Sequence, residues 1–122
     1  MLQTLKDRGY TLAVATSKPT IFSIPILEHF GLDKYFDFVS GASLDGKLSL
    51  KGDIIKVALD TLNINPCETI MIGDRKHDIF GAKKNNVDSI GVLYGFGNEE
   101  EFIKAGATYI VKEVLDILKI LK

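Results

Sequence analysis

Five residues carry groups suited to a phosphate and a hard cation: Thr16, Ser17, Lys51, Asp74 and Asp78. The stretch IMIGDRKHD, residues 70–78, runs from apolar residues into a glycine and then presents two aspartates with three residues between them. Mg²⁺ takes hard oxygen ligands and usually binds through one or two carboxylates, completed by phosphate and water. Thr16 and Ser17 follow LAVA and precede Pro19. A hydroxyl and N–H groups at a helix start can hold phosphate oxygens, and Lys51 can bring a point charge to the same phosphate. Each group also has a plainer reading. Thr16 and Ser17 suit a helix N-cap, Asp74 and Asp78 suit the cap of the helix that follows them, and a lone lysine is usually a solvated surface charge. A lysine opening a helix opposes the macrodipole by ~0.3–1 kcal/mol, which the nearby Asp53 would ease. Two carboxylates without a third ligand should hold Mg²⁺ weakly. They would then repel each other in the absence of metal, so Asp78→Asn is expected to be neutral or slightly stabilising in chelator.

The elements that must position these groups alternate along the chain. Residues 2–8 read as a short helix ended by Gly9, and 10–16 as a β-rich run apolar enough to be covered on both faces. Pro19 falls where a first helical turn would begin, and that helix runs to about Phe30, before Gly31. Residues 36–40 read as a strand, and 41–50 are turn-rich around Asp45-Gly46. Apolar residues at 54, 55, 58, 59 and 62 give 52–62 a helical period. Residues 69–73 then read as a strand, 78–86 as a helix and 89–95 as a strand. Asn98 with Glu101 is a capping-box pattern opening a helix that Gly106 terminates, and 107–111 and 112–121 read as a last strand and helix. Short apolar strands separated by helices argue an α/β fold with a Rossmann-like parallel sheet and helices on both faces. In such sheets ligands bind beyond the carboxyl ends of the strands, which is where the polar groups fall. No linker, repeat or low-complexity tract interrupts residues 1–122, so one domain is expected.

Bulk properties exclude several function classes. The 122 residues include 15 basic and 16 acidic side chains, well mixed, for a net charge of −1. That is no electrostatic footprint for nucleic acid or an anionic membrane. No apolar run approaches the ~20 residues that span a bilayer, and the first ten residues lack the apolar core of a signal peptide. A cytoplasmic protein is expected. The lone Cys67 excludes an internal disulfide and reads as a small buried hydrophobe.

In this order and spacing LAVATSKP (12–19), LSLKGDIIKVAL (48–59) and IMIGDRKHDIFGAKKNN (70–86) resemble motifs II, III and IV of the haloacid dehalogenase superfamily. The nearest branch is the phosphoglycolate phosphatase and 5′-nucleotidase-like group, and IGVLYGFGNEEEFIKAGATYIV (90–111) resembles the end of the same domain. The resemblance implies Mg²⁺-dependent hydrolysis of a small phosphorylated metabolite. It places Thr16 and Ser17 on the phosphoryl group, Lys51 as the residue that neutralises it and orients the nucleophile, and Asp74 and Asp78 as the acidic part of the Mg²⁺ site.

One departure limits this reading. The family's first motif is a strand ending in two aspartates one residue apart, the first a nucleophile and the second an acid and base. The aspartates here are 7, 33, 37, 45, 53, 60, 74, 78, 88 and 116, and no two are two apart. The expectation is a core that lacks its central first-motif strand and its cap, from a truncated or split gene, inactive alone and binding Mg²⁺ weakly. The alternative is a non-catalytic phosphate- or Mg²⁺-binding or interaction module completed by a partner strand, from a complementing chain or a homo-oligomer. A receiver domain is disfavoured, because there the acidic pocket precedes the lysine.

Overall fold

A computed structural model of the chain describes residues 2–93 and 97–121. It divides into two compact units, residues 2–63 and 64–122.

The first unit opens with helix α1 (Leu2–Asp7), followed by strand β1 (Ala13–Pro19), helix α2 (Thr20–His29), a 3₁₀ turn (Asp33–Tyr35), strand β2 (Phe38–Ala42) and helix α3 (Lys51–Leu62). β1 and β2 pair in parallel, Ala13 opposite Phe38 through Thr16 opposite Gly41, and the register then slips so that Pro19 meets Ala42. α3 packs on both strands and buries Ile54, Ile55, Ala58 and Leu59, the face that the 3.6-residue period predicts. The Ser40 hydroxyl donates to the Ile54 carbonyl at 2.7 Å, which satisfies a polar side chain inside this layer. Asn63 ends α3 in the left-handed region at φ 53°.

β1 begins three residues later than the sequence suggests, because residues 10–12 have other backbone partners. The Tyr10 N–H closes the end of α1 on the Leu5 carbonyl, and the Leu12 N–H donates to Asp37 Oδ2 at 2.9 Å. Pro19 lies at the end of the strand, in extended conformation, and is the N-cap of α2 rather than its first turn. Burial of β1 on both faces is not found either: its residues are half-buried or exposed, as befits one edge of a two-stranded ladder. α2 has no apolar stripe. Ile21, Phe22, Ile24 and Ile26 are exposed, and the buried member is Ser23, whose hydroxyl donates to the Pro19 carbonyl at 3.0 Å.

The second unit runs through a 3₁₀ turn (Pro66–Glu68), β3 (Ile70–Gly73), α4 (Lys76–Lys84), β4 (Asp88–Val92), α5 (Glu99–Ala105), β5 (Tyr109–Val111) and α6 (Val114–Ile120). Its strands form a parallel ladder in the order β3-β4-β5. The side-chain period of two sends alternate β4 residues to opposite faces. Ile90 and Val92 join Val111 and Ile117 of α6 in one cluster. Ile79 of α4 with Phe102 and Ala105 of α5 form the other, against Leu93, Ala107 and Ile110. Gly91 makes room there, since a Cβ at that position would stand 2.5 Å from Phe102 Cγ. Cys67, expected to be buried, is exposed. It lies in the 3₁₀ turn, where its N–H donates to Asn65 Oδ1 at 3.1 Å. The predicted strand over 89–95 ends at Val92, and its residues 94 and 95 lie outside the described residues.

The α/β class holds, with every strand pairing parallel and helices covering both faces of the β3-β4-β5 ladder. Among the described residues the strands nevertheless form two ladders rather than one sheet, and β1 and β3 are edge strands of theirs. Among the described residues, no helix is long and apolar enough to cross a membrane.

Candidate active site

In the first unit, Thr16 is the last residue of the regular β1 register, opposite Gly41. Its Oγ1 accepts the Lys18 N–H at 3.1 Å, a hydroxyl turn two residues long that holds the chain through the register slip. The N-cap role allowed for Thr16 and Ser17 is not found, because Pro19 is the N-cap of α2 and its side chain makes no cap hydrogen bond. Ser17 and Lys18 are exposed. Gly41 lies close beneath this turn: a Cβ there would stand 2.7 Å from the Lys18 carbonyl oxygen and from Thr20 N and Oγ1. Lys51 is the first residue of α3 and is half-buried, with Asp53 in the same first turn. Its helix packs on β1, so the strand and the helix that carry Thr16 and Lys51 are neighbours within this unit.

In the second unit, Asp74 immediately follows β3, at the carboxyl end of the strand, and Asp78 lies in the first turn of α4. Asp78 is 8% exposed. Its Oδ2 accepts the Asp74 N–H at 3.1 Å and the Arg75 N–H at 3.3 Å. The helix-capping role therefore belongs to Asp78, which satisfies two donors that the start of α4 leaves without intrahelical partners. The pair does not divide into two equivalent carboxylates. Gly73 is required by this arrangement, because a Cβ there would overlap the Asp78 side chain.

Three further residues hold the same loop, and sequence reasoning assigned none of them to it. Glu101 Oε2 accepts the Lys76 N–H at 3.2 Å and lies 3.4 Å from Arg75 Nε, while Oε1 accepts from an Arg75 terminal nitrogen at 3.5 Å. Asn98 caps α5 as its pattern predicted, Oδ1 accepting the Glu101 N–H at 2.8 Å. Gly97 packs against the Asp74 carbonyl, where a Cβ would collide. The capping pattern did mark Asn98 and Glu101. It gave no hint that the Glu101 side chain reaches back 25 residues along the chain to Lys76.

Among the described residues, no group of three or more His, Cys, Asp or Glu gathers as a metal cluster. The donor chemistry of Asp74 and Asp78 nevertheless suits Mg²⁺, because both carry hard carboxylate oxygens and the ion needs only one or two of these from protein.

Residues 1–92 match the haloacid dehalogenase-like hydrolase family, and the chain belongs to it. Over all 122 residues it is 39% identical to a 5′-nucleotidase of Pseudomonas aeruginosa, covering 55% of that protein. Over 121 residues it is 34% identical to a phosphoglycolate phosphatase of Colwellia psychrerythraea, covering 99% of this chain and 54% of that protein. The crystal structure of a predicted phosphatase from Clostridium acetobutylicum matches with a TM-score of 0.96 at 57% identity, covering 98% of this chain and 56% of that one. The chain thus spans about half the length of the curated relatives it matches.

Proposed function

We propose that residues 1–122 are the phosphate- and Mg²⁺-binding part of a single phosphatase core that hydrolyses a small phosphorylated metabolite in the cytoplasm. The observation that carries this reading is the position of Asp74, directly past the carboxyl end of β3 on a loop fixed from both sides, within a chain of this family. The names of the relatives, a 5′-nucleotidase and a phosphoglycolate phosphatase, support a phosphomonoester as the substrate class. In this reading Thr16, Ser17 and Lys51 hold the phosphoryl group and Lys51 neutralises its charge. Asp74 and Asp78 hold Mg²⁺, which when bound would supply a hard positive charge at the end of β3. With one Asp78 oxygen already accepting two backbone N–H groups, Asp74 is the stronger metal-ligand candidate. The chain has no Asp-x-Asp pair, and a covalent aspartyl mechanism needs its nucleophile. The chain alone is expected to give no Mg²⁺-dependent turnover of a generic phosphomonoester.

A second reading, an interaction module completed by a partner strand, is favoured by one observation: β1 and β3 are edge strands, and an open edge can accept a further strand. One experiment separates the two. A peptide with an apolar strand ending in Asp-x-Asp is added to the purified chain with Mg²⁺, and melting temperature and phosphatase activity are followed together. The phosphatase reading expects stabilisation and activity, both dependent on the peptide, with the activity lost in Thr16→Ala and Lys51→Ala. Stabilisation that survives replacement of the peptide's aspartates by alanine, with no activity from either peptide, favours the interaction module. Turnover by the chain alone that disappears in Asp74→Asn would overturn the inactivity and point to another nucleophile.

A further inference from the structure

Glu101 stands 25 positions beyond Lys76 in the sequence, yet its carboxylate takes the Lys76 N–H and faces the Arg75 guanidinium. Its side chain is only 17% exposed. Two neighbours restrict where it can go. The Asn98 side chain caps the Glu101 N–H and fixes the start of α5, and Phe102, the next residue, is fully buried in the core. Gly97 admits both the Asp74 carbonyl and Glu101 Oε2 at a position where a Cβ would collide with them. The three residues after β3 are therefore held from two directions. Asp78 takes the N–H groups of Asp74 and Arg75, and Glu101 takes the next one. A charge-assisted acceptor on a half-covered loop is worth more than a neutral one, and fixing the backbone limits the directions that the Asp74 carboxylate can adopt.

We propose that Glu101 is a positioning residue for the cation site: it clamps the 74–76 loop from α5 so that Asp74 is already oriented when Mg²⁺ arrives. The inference rests on the reading of Asp74 as a Mg²⁺ ligand, but its structural half stands on the loop alone. Residues that orient a ligand, without touching the metal, commonly change metal affinity by about 10–100-fold when removed. Glu101→Gln keeps an acceptor oxygen for the Lys76 N–H and loses the ion pair with Arg75, whereas Glu101→Ala loses both.

The test uses the full chain and two readouts. Amide hydrogen exchange in chelator reports the loop without metal. Glu101→Ala should speed exchange at Lys76 about tenfold or more, because that N–H loses its acceptor, while α3 amides stay at wild-type rates and Glu101→Gln falls between. Mn²⁺ binding, followed by electron paramagnetic resonance as a stand-in for Mg²⁺, reports the site. Binding should be lost in Asp74→Asn, weakened about tenfold in Glu101→Ala and largely restored in Glu101→Gln. Ala105→Gly, which loosens the same helix away from the loop, serves as the stability control and should leave Mn²⁺ affinity unchanged. Unchanged exchange at Lys76 in Glu101→Ala overturns the clamp. Mn²⁺ affinity equal to wild type in Glu101→Ala, or reduced as much in Ala105→Gly, overturns the positioning role. Binding that is absent from wild type, or indifferent to Asp74→Asn, overturns the metal reading instead and leaves exchange to decide the clamp.

Discussion

Removing the Asp78 carboxylate should destabilise the chain in the absence of any metal, against the neutral or slightly stabilising effect that charge repulsion with Asp74 alone would give. Asp78 is 8% exposed and one of its carboxylate oxygens accepts two backbone N–H groups, at 3.1 and 3.3 Å. Asp78→Ala leaves both donors without that acceptor at the start of a nine-residue helix. Loss of a helix cap is worth about 0.5–2 kcal/mol, and loss of hydrogen bonds to a charged group about 1.5–3 kcal/mol. These describe overlapping parts of one interaction and are not summed. About 2–3 kcal/mol is the expected penalty for alanine, with roughly 0.3–1 kcal/mol of it from the lost negative charge at the helix N-terminus. Asp78→Asn keeps a carbonyl oxygen in place and should lose only about 1 kcal/mol. The assay is urea unfolding at pH 7 in EDTA, with thermal melting alongside. A domain of about this size should melt roughly 4 °C lower per kcal/mol, so alanine should lower the midpoint by about 8–12 °C. An alanine variant within about 0.5 kcal/mol of wild type, or an asparagine variant that is stabilised, would refute the capping argument and restore repulsion as the dominant effect.

Gly91→Ala should cost about 1–3 kcal/mol by overpacking, because its Cβ would stand 2.5 Å from Cγ of the fully buried Phe102 ring. Paired with Phe102→Leu in a double-mutant cycle, the two penalties should be less than additive; strict additivity would show that the glycine serves some other end. Asp37 supplies a pH dependence. The hydrogen bond from Lys6 Nζ at 2.8 Å, helped by the Leu12 N–H, holds its carboxyl below the usual aspartate range. A folded value below the unfolded one means that the pair stabilises the fold above the unfolded value near 3.9, and that this contribution is lost as pH falls through the folded value. Both partners are partly exposed, so Asp37→Asn should cost only about 0.2–1 kcal/mol at neutral pH and low salt. The gap should close on acidification, and a difference that persists at low pH would rule out the ion pair as its source.

Much of this protein is local, and local features were open to sequence reasoning. The period of apolar residues in α3 names its buried face, Asn98 and Gly106 bound α5 as capping rules require, and the acid pair after IMIG falls just past the end of β3. Such features depend on residues within one or two turns of each other, so spacing encodes them. The motifs that link the chain to its family are each short stretches of the same kind, and their order along the chain is read directly from the sequence. What tertiary structure decided was where side chains find partners distant in sequence. The start of β1 moved because the Leu12 N–H is taken by Asp37, and Pro19 became the end of a strand because the register with β2 slips beside it. Cys67 came to the surface on a turn whose hydrogen bonds are local but whose exposure is not. Asp74 and Asp78, alike in residue type, separated into a residue that carries the candidate chemistry and a residue that also holds its backbone. Glu101 acquired its place beside them because α5 packs against α4. The period of a helix records which side faces a core, but not which loop that core brings within reach of a carboxylate.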